Sequence, residues 1–322
     1  FRSGSHKIVC TMSAFIGVII FVLLIIMVIA MARIFMMVWR DNMLFAPIKQ
    51  KVYTPDGNVV DFMLQTENGP IHAQYHVNRV GAPPVVFFHG TNANISCRKY
   101  VVEMARTIDA NLLLVDYPGY GEAPGFPSIG AIAGSGIAAV NWLVKKGYHR
   151  KEIRLWAESI GSVAGASIVK QLRCHSLVVL FGVPSFKQIM AGFDSPAVRL
   201  LGKLSEPLFP SETNAACYQK TRTKIILLHS KTDELIPFSA VEEMSKSIPE
   251  KYFGGLVVIG GGHSTPIITP EQMEHVFAFA ELKIIDKPAL CVWAKGMSTI
   301  ARDLNFRIDD KDLWLGNKTW SF

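Results

Sequence analysis

A chain of 322 residues, half of them apolar, can bury the core of one large domain, and its formal charge of +7 is scattered rather than gathered into a basic stripe interleaved with aromatics. Nucleic acid is therefore not an expected partner, whereas an anionic lipid surface is compatible with the charge. Cys10, Cys97, Cys174, Cys217 and Cys291 show no paired spacing, which argues against a disulfide-stapled secreted domain and points to thiols kept reduced. His72 and His76 can share one strand face, but two histidines without a third ligand do not make a metal site, and no metal or other cofactor is expected.

The chain is essentially unbroken apolar sequence from Ile8 to Ala32, with Arg2 and Lys7 before it and Arg33 and Arg40 after it. About twenty such residues cross a bilayer, so a retained single-span anchor is predicted. The apolar character continues through Ile34, Phe35, Met36, Met37 and Val38 to Trp39, an interfacial extension that makes residues 8–39 one membrane unit. A cleaved signal peptide is the competing reading, with Ala30-Met31-Ala32 as its small-x-small site, but its apolar region would be too long. Arg33, Arg40, Lys49 and Lys51 outnumber Arg2 and Lys7, so the positive-inside rule places the downstream domain in the cytosol.

Lys51 to Leu64 alternates in strand fashion around Pro55-Asp56-Gly57-Asn58, and Ile71 to Val77 is a second strand-like run; together they read as an antiparallel hairpin and its neighbour. Strands and helices then alternate. Strands are expected at Pro84–Phe88, Asn111–Val115, Glu152–Trp156, Ser176–Phe181, Lys224–His229 and Leu256–Ile259. Helices are expected at Ser96–Thr107, Ile129–Lys146, Ile160–Leu172, Phe238–Ser247 and Pro270–Ile285. This order defines an α/β fold with a mostly parallel central sheet and helices on both faces. The rhythm breaks into Pro- and Gly-punctuated pieces over residues 183–220, where a short cap can cover a site. The catalytic domain is expected over 50–286, which would leave the span dispensable for catalysis. Residues 287–322, with Trp293, Trp314 and Trp320, form a tail: a surface strap, a membrane contact or a partner site.

Ligands of open parallel sheets sit beyond the carboxyl ends of the strands, so the residues just after each apolar run are the ones to inspect. Ser159 lies between small residues in Ala157-Glu158-Ser159-Ile160-Gly161, where a strand gives way to a helix, the place for a nucleophile elbow. His89-Gly90-Thr91-Asn92-Ala93-Asn94 is a strand end opening into a polar loop that can aim N–H groups at an oxyanion. Asp116 and Tyr117 open a turn-rich loop and read as scaffold. Asp233 and Glu234 follow Ile225–Leu228, and His263 follows Leu256–Ile259 across three glycines. The order Ser159, Asp233, His263 is that of a Ser-Asp-His triad on such a sheet; Glu234 is the rival acid, with Asp233 favoured by its shorter reach.

On these segments, together with Asp116-Tyr117-Pro118-Gly119-Tyr120-Gly121, His229 to Pro237 and Gly262-His263, the chain resembles the α/β-hydrolase superfamily, and within it the membrane-anchored single-span branch of serine hydrolases. The resemblance covers roughly Lys51 to Asp286. It implies Ser159 as nucleophile, Asp233 as acid, His263 as base, and the amides of Thr91 and Ile160 as the oxyanion hole. Two positions depart from the pattern: Ala157 replaces a glycine, and Ser162 stands where a second glycine is common. The expected function is hydrolysis of carboxylic ester or thioester bonds of a membrane lipid or an acylated protein through an acyl-enzyme. Met190 and Phe193 of the cap are candidate substrate-binding residues. An idle hydrolase fold serving as a binding or scaffold protein, or a serine peptidase, are the alternatives. Asn94-Ile95-Ser96 is a glycosylation sequon inside the oxyanion loop, where a glycan would obstruct the site.

Overall fold

The computed structural model describes residues 2–51, 57–185, 188, 196, 199–200 and 214–296. Helix α1 (Arg2–Leu44) contains the stretch Phe15–Trp39, which has a mean hydropathy of 3.3 and is long and apolar enough to cross a membrane. Its side chains from Phe15 onwards are exposed, until Met36 and then Leu44 turn inward. Leu44 and the following Phe45 are buried in the main core, so the domain recruits residues ahead of position 50, where the sequence reading begins it.

One sheet carries the strands in the order β1-β2-β4-β3-β5-β6-β7-β8-β9. β1 (Val59–Thr66) and β2 (Gly69–His76) form an antiparallel hairpin turned at Glu67-Asn68, and β2 is antiparallel to β4 (Asn111–Val115). From β4 the sheet is parallel through β3 (Pro84–Phe88), β5 (Arg154–Glu158), β6 (Ser176–Leu180), β7 (Lys224–Ser230) and β8 (Phe253–Gly261). The short β9 (Pro266–Ile267) turns back along β8. The first arm of the expected hairpin, before Gly57, falls largely on residues 52–56 and lies outside the described residues.

The central strands are apolar on both faces because both faces are covered, as parallel sheets require. Successive side chains point to opposite sides. Val86, Phe88, Leu113, Val115, Leu155, Leu177 and Leu227 enter one core, with residues of α3 (Ile129–Lys145) and α4 (Ser162–Gln171). Val85, Phe87, Leu112, Leu114, Trp156, Val178 and Leu228 enter the other, with residues of α2 (Lys99–Arg106). Two elements remain on the first side: α5 (Asn214–Tyr218), inside the expected cap, buries Cys217 and Tyr218, and α6 (Phe238–Ser245) buries Val241 and Met244. On the second side lie α7 (Pro270–Phe279), started by a Thr269–Gln272 capping box, and a helical segment over 287–296. That segment is the described part of the expected tail. Its Leu290, Trp293 and Ala294 are core residues, and the Trp293 indole donates to the Tyr100 carbonyl at 2.7 Å. Trp314 and Trp320 lie outside the described residues.

Of the boundaries that differ from expectation, two have a plain local reason. β5 starts at Arg154 because His149 caps a 3-10 turn over Arg150–Glu152, in which Glu152 bonds back to the His149 amide. Helix α7 stops at Phe279 instead of continuing to Ile285 because the chain reverses through Glu281 at φ +52°.

Candidate active site

Ser159 sits between β5 and α4 at φ +51°, a left-handed conformation that costs a non-glycine residue about 1–3 kcal/mol and that surrounding packing must enforce. The packing is visible. A Cβ on Gly161 would fall 2.3 Å from the Phe88 carbonyl oxygen, so the start of the helix can lie against the end of β3 only with glycine there. Ala157, in place of the usual first glycine, is accommodated because Gly165 on α4 faces it; a Cβ on Gly165 would stand 3.4 Å from that of Ala157.

The Ser159 hydroxyl lies 3.0 Å from His263 Nε2, and Asp233 Oδ2 lies 2.8 Å from His263 Nδ1. Asp233 Oδ1 accepts from the amides of Leu235 and Ile236, both at 2.8 Å. Burial pushes the Asp233 carboxyl up, but the His263 ring and these two amides outweigh it and hold the acid below the ordinary carboxylate range. Glu234, the rival acid, instead accepts from the His263 backbone amide at 2.8 Å and braces the loop that carries the imidazole. His229 donates from Nε2 to the Ile236 carbonyl at 2.9 Å, and burial pushes its pKa down. It therefore supports the Asp233 loop as a neutral ring.

Ile160 lies in the 3-10 turn Ser159–Gly161, which has no side-chain cap at its start, and early helical amides lack intrahelical acceptors. Thr91 follows Gly90, whose carbonyl accepts from His89 Nδ1 at 2.7 Å. That bond fixes the peptide plane to which the Thr91 amide belongs. Asp116, fully buried, is the hub beneath this loop: it accepts from the Ile95 amide at 2.9 Å, stands 3.3 Å from His89 Nε2, and 3.3 Å from His72 Nδ1. Burial raises the Asp116 carboxyl, and the two histidines with the amide more than offset it, leaving it below its ordinary value. His72 reaches on to Asp61 at 2.6 Å; burial lowers this imidazole, but the hydrogen bonds to Asp116 and Asp61 prevail and raise it.

Met190 and Phe193 lie outside the described residues. Leu200, within the expected cap, is exposed. Three features escaped the sequence reading. Phe181, at φ +54° just past β6, lays its ring 4.8 Å from that of His263; its place after a buried strand was the available signal. Glu158 accepts from the Tyr100 hydroxyl and stands 3.9 Å from Arg98, which also donates to the Asn92 carbonyl at 2.8 Å, so this cluster links the elbow to the oxyanion loop. Ser162 is fully buried, and its hydroxyl accepts from the Val183 amide at 3.0 Å and from Asn214 Nδ2 at 2.9 Å.

This architecture, with its chemistry collected at the carboxyl ends of parallel strands, is the α/β-hydrolase fold. Solved structures of that fold superpose on the chain: an esterase of Pyrococcus furiosus with a TM-score of 0.55 at 15% identity, covering 77% of this chain and 98% of its own. An α/β hydrolase of Vibrio vulnificus gives 0.54 at 19%, covering 64% and 75%. Among curated sequences, an uncharacterized protein of Acanthamoeba polyphaga mimivirus is 24% identical over 214 residues, 62% of this chain and 71% of that protein. Human alpha/beta hydrolase domain-containing protein 17C is 24% identical over 198 residues, 61% of this chain and 57% of its own length. No protein-family profile matches the chain.

Proposed function

We propose that the protein is a membrane-anchored serine hydrolase that cleaves ester or thioester bonds of acyl substrates. The observation that carries the reading is the unbroken line from Ser159 Oγ to His263 Nε2 at 3.0 Å and from His263 Nδ1 to Asp233 at 2.8 Å, with the serine held at positive φ. In this mechanism His263 takes the Ser159 proton as Oγ attacks the acyl carbonyl, and Asp233 orients the ring and stabilises its positive charge. The amides of Ile160 and Thr91 receive the oxyanion; each such donor is worth about 2.7–4 kcal/mol. His263 then returns the proton to the leaving alcohol or thiol, and water activated by the same ring releases the acid.

Membrane anchoring rests on α1, and the nature of the substrate on where α1 delivers the chain. About 10 Å of chain, at helical rise, separates Trp39 at the end of the apolar stretch from Ala46, which forms a β-bridge with Asn92 of the loop following Thr91. A site so close to the interface favours acyl groups presented by the bilayer, as lipids or acylated proteins, with cap residues Met190 and Phe193 contacting the chain. The catalytic domain faces the cytosol in this reading: basic residues follow the span, and Asn94 of the sequon is 1% exposed, which leaves no room for a glycan.

Labelling by a fluorophosphonate, followed by ester, thioester and amide substrates, tests the reading. The wild type is expected to label and Ser159→Ala to lose labelling while remaining folded. Persistent labelling of that variant would move the nucleophile elsewhere, and an unlabelled, inactive wild type would return the chain to a binding or scaffold role.

A further inference from the structure

The segment leaving α1 runs directly onto the loop that carries Thr91. Ala46 and Asn92 form a parallel β-bridge. The Tyr120 hydroxyl accepts from the Ala46 amide and donates to the Thr91 carbonyl at 2.9 Å, so strap and loop share one hydroxyl. The Ile48 carbonyl accepts from the Gly121 amide at 2.9 Å and from Asn94 Nδ2 at 2.8 Å, and the Gln50 carbonyl accepts from the same Nδ2 at 2.9 Å. Asn94 is buried, and its Oδ1 accepts from the amide and hydroxyl of Ser96 at 2.9 and 2.6 Å. Its side chain is therefore spent in full: both donors hold the strap, and the acceptor holds the next turn of the loop. The Ile48 side chain packs on Ala93 and Cys97, and Ala93 sits at φ +65°. A positive-φ alanine persists only where neighbours over-determine the backbone, and here the strap is one of those neighbours.

We propose that Ala46–Gln50 is the brace that sets the oxyanion loop, with Asn94 and Tyr120 as its positioning residues, so that the exit of the membrane anchor is a working part of the hydrolytic site. Neither residue touches the reacting atoms. Each acts by holding the Thr91 region in place for a charge that develops only in the transition state. This rests on the serine-hydrolase reading above and adds to it a dependence of turnover on the juxtamembrane segment.

The test uses the full-length protein in phosphatidylcholine vesicles with p-nitrophenyl butyrate. Asn94→Asp keeps an acceptor for Ser96 but turns a carboxylate oxygen onto the Ile48 and Gln50 carbonyls; Tyr120→Phe removes only the shared hydroxyl. Each is expected to lower kcat roughly 10- to 100-fold with KM within about twofold, because a misplaced oxyanion donor weakens the transition state and not the ground state. Inhibition by a trifluoromethyl ketone, which forms a tetrahedral adduct, should weaken in parallel. Lys51→Met, which removes only an exposed ion pair with Glu122, should stay within about twofold. Amide hydrogen exchange over residues 90–95 should quicken in Asn94→Asp.

Both variants at wild-type kcat would overturn the proposal. So would a loss of activity fully accounted for by a smaller folded fraction, measured by circular dichroism, with kcat per folded protein unchanged. A wild type that neither labels nor hydrolyses would overturn the hydrolase reading and the catalytic consequence with it, whereas an active wild type with unaffected variants overturns the brace alone.

Discussion

The two halves of the site are built differently. The proposed acid and base come from loops after β7 and β8: the Asp233 carboxylate accepts three hydrogen bonds, whereas the partly solvent-accessible His263 ring is held on its far side by that carboxylate alone. The proposed oxyanion half is a buried lattice: His89, Asn94, Asp116 and His72 are at most 4% exposed, and they join β2, β3, β4 and the strap from α1. A proton-transfer ring must shift between two partners, and a ring so lightly held allows that. An oxyanion hole works by not reorganising, and a dense buried network supplies that stiffness at the cost of desolvating charge.

Breaking the proton-transfer half should give the largest effect. Asp233→Asn is expected to lower kcat by about 10⁴, since the ring would lose the acceptor that orients it, whereas Glu234→Gln, which keeps an oxygen for the His263 amide, should cost less than about tenfold. Steady-state kinetics on one ester decides; equal losses would mean the two carboxylates share the role.

The buried half should fail by stability rather than chemistry. Asp116→Asn takes from His72 and His89 the carboxylate they share, and leaving a buried polar group unsatisfied costs about 1–3 kcal/mol, read by urea denaturation. An effect under about 1 kcal/mol would show that the lattice is not what stiffens the loop.

A subtler difference is expected in pH. The His72 imidazole is raised in the folded state, so it contributes stability fully below its unfolded value of 6.5, and that contribution is lost as pH rises through the higher folded value. The depressed Asp116 has the opposite sign: its contribution is complete above its unfolded value of 3.8 and lost as pH falls through the lower folded one. The stability gap between wild type and His72→Asn should therefore be widest in mild acid and narrow as the solution becomes alkaline. A gap that widens with pH would reverse the assignment.

The smallest effect belongs to the second face of the sheet. Trp293→Phe keeps most of the apolar bulk but removes the indole donor to the Tyr100 carbonyl, for an expected loss of about 0.5–1.5 kcal/mol in the same denaturation assay.

Much of this was legible in the chain because it is written locally. Pro84–Phe88 and Asn111–Val115 are apolar runs with polar punctuation, and both strands have those limits. The order of Ser159, Asp233 and His263 is a property of strand sequence, and the structure brings the three side chains together. What escaped depends on contacts distant in sequence. Leu44-Phe45-Ala46-Pro47-Ile48 falls between the expected membrane unit, which ends at Trp39, and the expected domain, which begins at residue 50, and only the folded chain lays it against Asn92 and Gly121. Glu158 was an unspecified residue of the elbow until Tyr100 and Arg98 closed on it. The boundary of β5 was lost to a histidine cap, a side chain seldom weighed as a helix starter.

The Ser162 hydroxyl gathers Val183 and Asn214 at the start of the helix behind the nucleophile, and Asn214 also donates to the Val183 carbonyl at 2.7 Å. Those hydrogen bonds clamp the two ends of everything between them into a fixed socket. One oxygen behind the nucleophile thus ties the chain just after β6 to the start of α5, and Ser162→Ala would release both attachments with the loss of a single atom.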